Sequence, residues 1–341
     1  MTEEIAHSIV RSSIPVRQFH DLGGVAAVAV FPDRRRMATS SSDGIVRLWD
    51  LKAGHMLMEL EGRGPAMRDM ALSWDGKLIA SSDDQGYVIA WHGDTGRQLI
   101  QAFQPNPGSN RSCPLDFFLD GTTIAAGSYN ATTLWNTETW QRKDTFSHTN
   151  HVATCVRYSP SGKLLAIGTT SNCIFIWDPA TKQSIASVEY ASSQGPHSTE
   201  VMLMWTADGT RLLSGDWSDV IIREWDSSTW TQISNIWKGY TYTQSPWRFA
   251  MNCGGTVIAF PTTDNRVRLM RLSDRRTIAI FQHSDFPCCI AFSMDGKHIL
   301  AGGKDNKISE WAVPEHGWSQ DTSPNDRATY QVSWRLFSIY S

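Results

Sequence analysis

A segment of alternating apolar residues that ends in tryptophan recurs along the chain, and it constrains the fold more than any other feature. The repeat-column residue is tryptophan in six copies and methionine in a seventh: Trp49, Trp91, Trp135, Trp177, Trp225, Met270 and Trp311. Successive copies are 41 to 48 residues apart. A period of about 40 to 45 residues with strand-like alternation is that of a four-stranded propeller blade.

Short hairpin turns precede most of these segments. Asp-Gly or Ser-Gly pairs between two apolar runs occur at residues 75–76, 120–121, 161–162, 208–209 and 295–296. Glycine adopts positive φ without steric cost, so these pairs predict tight turns between antiparallel strands. No helical periodicity competes with the alternation. The sequence therefore predicts an all-β fold, a seven-bladed β-propeller of four-stranded antiparallel blades.

These repeats resemble those of the WD40-repeat β-propeller family over residues 14–313. In that family a histidine before the first strand, an aspartate in the turn before the tryptophan strand and the tryptophan itself form a buried network within each blade. The resemblance implies complete networks in three blades, formed by His20, Asp43 and Trp49, by His197, Asp219 and Trp225, and by His283, Asp305 and Trp311. It also implies that an N-terminal strand, residues 14–20, closes the ring.

The two ends of the chain fall outside the repeats. Residues 1–13 are predicted to be an N-terminal extension, and residues 314–341 a C-terminal tail. Within the tail, residues 330–336 alternate between apolar and polar side chains, which is typical of a strand. That strand could pair on the outside of the propeller or compete with residues 14–20 for ring closure, and the sequence leaves both arrangements open.

Charge and cysteine content limit the classes of partner. The 31 Lys and Arg residues against 34 Asp and Glu residues give a formal net charge of −3 without a basic cluster, which argues against nucleic-acid binding. The first residues lack the basic and apolar regions of a secretory leader, so none is expected; the sequence has no apolar stretch of membrane-helix length, and its six cysteines lack the spacing of a metal site. We therefore expect a monomeric cytoplasmic protein with reduced cysteines, no membrane association, no cofactor and no bound metal.

No catalytic motif accompanies the repeats: the sequence lacks a nucleophile elbow, a phosphate-binding loop and a zinc-protease helix. This favours a non-catalytic scaffold that binds protein or peptide partners. Two alternatives remain. A lactonase-like propeller hydrolase would use acidic residues near the channel, for which Asp83, Asp216 and Glu200 are the candidates. A carbohydrate-binding propeller would explain the surplus of tryptophan.

Nine of the 15 tryptophans lie outside the repeat column. Two of them, Trp217 and Trp247, fall in loops that the family resemblance places on the top face, around the central channel. The same alignment places seven further residues on that rim: Phe286, Tyr129, Arg68, Arg111, Asp83, His151 and Glu200. Because aromatic and arginine side chains are concentrated at protein-binding hot spots, we predict that these nine residues contact a partner. Arg68 and Arg111 would orient acidic groups.

Overall fold

A computed structural model of the chain describes residues 9–64, 66–106, 113–190, 201–216, 221–233, 237–238 and 249–315. Within these ranges the chain forms 28 β-strands and no α-helix. The same ranges contain no apolar helix of the length that crossing a membrane requires. The all-β part of the prediction is therefore confirmed for the described residues.

Most strands belong to antiparallel four-stranded sheets, which we name after their repeat-column residues. The Trp49 sheet consists of β3 (Val25–Val30), β4 (Arg36–Ser41), β5 (Ile45–Asp50) and β6 (Met56–Glu61). The Trp91 sheet consists of β7 (Met67–Leu72), β8 (Leu78–Asp83), β9 (Val88–His92) and β10 (Gln98–Phe103). The Trp225 sheet consists of β18 (Val201–Trp205), β19 (Arg211–Asp216), β20 (Ile221–Asp226) and β21 (Trp237–Lys238).

Two sheets recruit strands from the N-terminal end of the chain. The Trp311 sheet consists of β26 (Pro287–Phe292), β27 (His298–Gly303), β28 (Lys307–Ala312) and, antiparallel to β28, β2 (Arg17–His20). The Met270 sheet consists of β22 (Ala250–Met251), β23 (Val257–Thr262), β24 (Arg266–Arg271), β25 (Thr277–Gln282) and, parallel to β25, β1 (Val10–Ser12). Part of the predicted N-terminal extension thus lies in a sheet. The predicted tail strand, residues 330–336, lies outside the described residues.

The remaining sheet has seven strands and contains both Trp135 and Trp177. Its strands are β11 (Leu115–Phe117), β12 (Thr123–Gly127), β13 (Tyr129–Asn136), β14 (Arg142–Tyr158), β15 (Leu165–Thr169), β16 (Cys173–Asp178) and β17 (Gln183–Glu189). Strand β14 is 17 residues long. Residues up to Val152 pair with β13, and residues from Ala153 onward pair with β15.

Neighbouring sheets pack against one another mainly through their inner strands, which gives the molecule its propeller form. Strand β3 contacts β7, β7 contacts β11, β14 contacts β18, and β26 contacts both β23 and β3. One buried cluster joins Met202 and Trp205 of the Trp225 sheet to Met251 and Ile258 of the Met270 sheet. Because β26 contacts β3, the last sheet in the chain packs against the first, and the prediction of a β-propeller is confirmed.

The predicted hairpin turns occur where the Asp-Gly pairs stand. Gly296 has φ 69°, the left-handed region in which an added Cβ would be strained. The preceding Asp295 accepts hydrogen bonds at Oδ1 from the Ser293 hydroxyl at 2.6 Å and from the Lys297 amide at 2.9 Å. Local sequence thus determines such turns, because their polar groups are satisfied by residues of the turn itself.

Candidate functional site

The buried network of the Trp49 sheet differs from the predicted one. Trp49 donates its indole N–H to Thr39 Oγ1 at 2.9 Å, and Thr39 donates its hydroxyl to Asp21 Oδ2 at 2.8 Å. His20, which the sequence analysis placed in this network, is exposed to solvent. That placement was wrong, because side chains alternate along β2 and His20 lies on the solvent-facing side of the strand. The next residue, Asp21, joins the network in its place.

Arg47 is the centre of this network and was missed by the sequence analysis. Its side chain is only 1% exposed, and its guanidinium donates to Asp21, to Asp43 at 2.6 Å and to Glu59 at 2.8 Å. Burial raises the pKa of the Asp21 carboxyl, although Thr39 and Arg47 act in the opposite direction. An ionic cluster therefore holds this sheet, where the family resemblance implied a histidine.

The other two predicted networks are incomplete among the described residues. Trp225 donates its indole N–H to Ser214 Oγ at 2.8 Å, while His197 and Asp219 lie outside the described residues. Trp311 lies edge-on to His283, with ring centroids 5.8 Å apart. Its indole nitrogen has no hydrogen-bond partner among the described residues, since Ala301 occupies the position that Thr39 fills in the Trp49 sheet. Asp305 accepts the hydroxyl hydrogen of Ser284.

Thr39→Val is expected to lower the free energy of unfolding by about 1–2 kcal/mol, because it leaves the buried Trp49 N–H and one Asp21 oxygen without their hydroxyl partner. Chemical denaturation measures the change. Thr39→Ser is the matched control, since serine keeps the hydroxyl and loses only the methyl group. A Thr39→Val loss no larger than that of Thr39→Ser would contradict a role for the hydroxyl.

A cavity opens on the top face, which we define as the end of the sheets where each first strand begins. Its volume is about 590 Å³. It is lined by Leu22, Gly23, Gly24, Val25, Ala26, Ser42, Asp43, Ala66, Arg68, Cys288, Lys304 and Asn306. These residues belong to the Trp311, Trp49 and Trp91 sheets, so three neighbouring sheets form one recess, which we call the top-face cavity.

The top-face cavity combines an apolar wall with cationic side chains. Val25 and Cys288 are buried beneath it, and Leu22 is exposed at its rim. Arg68 and Lys304 provide two positive charges, whereas the single carboxylate, Asp43, is hydrogen-bonded to Arg47. The arrangement suits an apolar group that carries a neighbouring negative charge.

The structure brings only some of the predicted rim residues to this cavity. Arg68 lines it, and the Phe286 carbonyl accepts a hydrogen bond from the Lys304 amide at 3.3 Å. Asp83 is buried and accepts hydrogen bonds from the amides of Gln85 and Tyr87, and burial raises its pKa. The prediction of Asp83 as a partner contact was therefore wrong: its carboxylate holds its own loop.

Two further rim candidates lie in the seven-stranded sheet, apart from the top-face cavity. Tyr129 is 44% exposed at the start of β13. His151 is partly buried, and its ring centroid lies 5.6 Å from that of Phe175. The remaining candidates fall outside the described residues: Trp217, Trp247, Arg111 and Glu200. Within the described part of the chain, no group of three or more His, Cys, Asp or Glu residues has an arrangement that could hold a metal ion.

Leu22, Lys304 and Asn306 line the cavity but were not predicted. A sequence signal for the last two existed: they flank Asp305 in the tight turn before the Trp311 strand, which the fold places at the top face. Leu22 carried no such signal, because its exposure depends on the path of the loop between β2 and β3.

Comparison with known proteins identifies the repeats. The family model described as WD domain, G-beta repeat, matches residues 13–50, 140–178 and 275–311. Autophagy-related protein 16 of Arabidopsis thaliana is 20% identical over 91% of this chain and 60% of its own length. The WD repeat-containing protein 91 homolog of Dictyostelium discoideum is 24% identical over 59% of this chain and 26% of its own length.

A guanine nucleotide-binding protein subunit beta of Arabidopsis thaliana is 31% identical over 35% of this chain and 34% of its own length. The chain thus spans between about a quarter and three fifths of the length of the relatives named here. The three matched segments end within one residue of repeat-column positions Trp49, Trp177 and Trp311.

Proposed function

Because the chain carries WD40 repeats, we propose that it is a non-catalytic scaffold that binds a protein or peptide partner on its top face. The observation that carries the proposal is the top-face cavity, in which three neighbouring sheets contribute to one recess of about 590 Å³. Rigid sheets fix the positions of such loops, so binding residues can be presented without rearrangement of the scaffold.

We further propose that the propeller has seven blades and that β2 closes the ring. Three observations support this. The repeat column has seven positions, and the seven-stranded sheet divides at β14 into a half that pairs with β13 and a half that pairs with β15. The pairing of Phe19 with Ile308 joins the N-terminal end of the chain to the last sheet. Such pairing covers an edge strand that would otherwise be open to aggregation.

The partner group that fits the cavity best is an apolar side chain next to a carboxylate or phosphate. The apolar wall around Val25 and Cys288 would cover the side chain, and Arg68 and Lys304 would attract the negative charge. Trp217, Trp247, Phe286 and Tyr129 would extend the contact surface as aromatic anchors. Double substitution of Trp217 and Trp247 to alanine tests that extension separately.

Charge reversal of the cavity tests the proposal. Arg68→Glu with Lys304→Glu is expected to reduce the capture of partner proteins from cell extract at least about tenfold, as measured by quantitative mass spectrometry. The matched control is Lys163→Glu with Lys297→Glu, which makes the same change in net charge at exposed turns on the opposite face. Equal capture by both folded double variants would overturn the top-face proposal.

We also propose a cytoplasmic location. All six cysteines are free thiols and five of them are buried, which fits a reducing compartment. Microscopy of a fluorescent fusion tests this, and accumulation outside the cytoplasm would contradict it.

A further inference from the structure

Strand β25, the fourth strand of the Met270 sheet in chain order apart from β1, differs from the outer strands β6 and β17 of two other sheets. Four consecutive residues of β25, from Ile278 to Phe281, are apolar, and they are buried with β1 in place. In β6 and β17, by contrast, most residues are exposed or half-buried. An apolar outer strand with an open edge invites pairing with another chain. In this protein that edge is covered by β1.

Strand β1 covers the edge through a short parallel ladder. Val10 lies opposite Ala279, Arg11 opposite Ile280 and Ser12 opposite Phe281. Val10 is half-buried against the cluster that contains Ala279 and Phe281. The arrangement places the Val10 side chain in an apolar socket, and the backbone pairing continues from Val10 through Ser12.

Strand β1 ends directly after its three paired residues. The Ser12 hydroxyl donates a hydrogen bond to the Ile14 carbonyl at 2.9 Å and accepts one from the Ile14 amide at 3.2 Å, which turns the chain away. The Ile14 and Val16 side chains are 79% and 63% exposed, so they do not pack on the Met270 sheet, and the Val16 amide donates a hydrogen bond to the Glu310 carbonyl of the Trp311 sheet at 2.7 Å. A three-residue parallel strand with an exposed connection has little to hold it, and such elements open at low free-energy cost.

We propose that the outer edge of β25 is a docking site for an extended peptide segment, and that β1 is an exchangeable resident of that site. The partner is a protein segment that adds as a parallel strand and places a β-branched aliphatic side chain in the Val10 socket. Backbone hydrogen bonds would supply affinity and the socket would supply selectivity, as in other cases of strand addition.

The length of the connection between β1 and β2 determines how strongly β1 competes with a segment from another molecule for the edge of β25. Four residues separate β1 from β2. A short connection keeps the resident strand at an effective concentration in the millimolar range. A segment supplied by another molecule is therefore expected to bind weakly while β1 is in place, and much better once β1 is loosened.

Loosening β1 in the full chain tests the inference. In the Val10→Asp variant, a fluorescent peptide with the natural sequence of residues 9–15 is expected to bind at least about tenfold more tightly than to the natural protein, because a carboxylate is disfavoured in the apolar socket. Fluorescence anisotropy measures both affinities. A peptide with aspartate at the Val10 position is expected to lose that gain.

Ile14→Asp is the matched control, since Ile14 lies in the exposed connection that follows β1 and takes no part in the pairing with β25. That variant is expected to bind the peptide as weakly as the natural protein. Hydrogen exchange gives a second readout: Val10→Asp should accelerate exchange of amides in β25 and not in β24. Equal peptide affinity in all three proteins, or unchanged exchange in β25, would overturn the inference.

Discussion

Arg47→Met is expected to lower the free energy of unfolding by about 3–5 kcal/mol, because it removes the cation from a buried cluster and leaves the carboxylates behind. Asp21 has no exposed side-chain surface, and Glu59 loses a 2.8 Å hydrogen bond. Methionine covers a similar apolar area, so lost packing contributes little. Denaturant titration at pH 7 measures the change.

Arg266→Met is the control for this prediction. Arg266 bonds Asp264 at 3.0 Å, but its side chain is 40% exposed. Exposed ion pairs contribute about 0–1 kcal/mol, so this variant should be nearly as stable as the natural protein. Adding Asp21→Asn to Arg47→Met should recover part of the loss, since it removes one buried charge. Equal stability of the two single arginine variants would show that the buried cluster is not what holds the Trp49 sheet.

The stability of the fold is expected to fall as the solution is acidified from pH 7 to pH 4.5, and His148 should account for about 2–3 kcal/mol of that fall. Burial lowers the pKa of the His148 imidazole from 6.5 to about 4 in the folded protein. Between these values the unfolded chain binds the proton and the folded protein does not, so acid favours unfolding. Well above pH 6.5 the imidazole is neutral in both states and the effect disappears.

His148→Gln tests this assignment. Glutamine does not titrate, and it can retain the hydrogen bond that links the ring to Thr132 Oγ1 at 3.1 Å. The variant should lose less stability than the natural protein over the same pH range, as measured by denaturant titration at each pH. Some pH dependence should remain, since burial also lowers the pKa of His283. An identical pH profile in both proteins would contradict the assignment.

The strand and turn pattern was predictable because it is local. The spacing of the repeat column and the Asp-Gly pairs predicted strands, and turns such as that at Gly296 satisfy their own hydrogen bonds. The blade networks were predicted less well. The family resemblance assigns the histidine position of this blade to His20. The alternation of side chains along β2, however, leaves Phe19 buried and His20 exposed.

The contents of the candidate site could not be predicted to the same degree. Arg68 was expected at the top face and lines the cavity, while Asp83, also expected there, caps its own loop. Both are charged residues near the same loops, and no sequence pattern shows which of the two side chains is buried. In the folded protein Gly64 lies close to Asp83, and the amides of Gln85 and Tyr87 donate hydrogen bonds to its carboxylate, so Asp83 is the enclosed side chain.

By itself, the sequence determined that this chain repeats a four-stranded unit, because repeat spacing, alternation and turn chemistry depend on residues close together in the chain. The tertiary structure decided which side chains meet. The ionic cluster around Arg47, the recess formed by three sheets and the cover that β1 places on β25 all join residues distant in sequence. Such contacts depend on how sheets pack in three dimensions, so no local pattern encodes them.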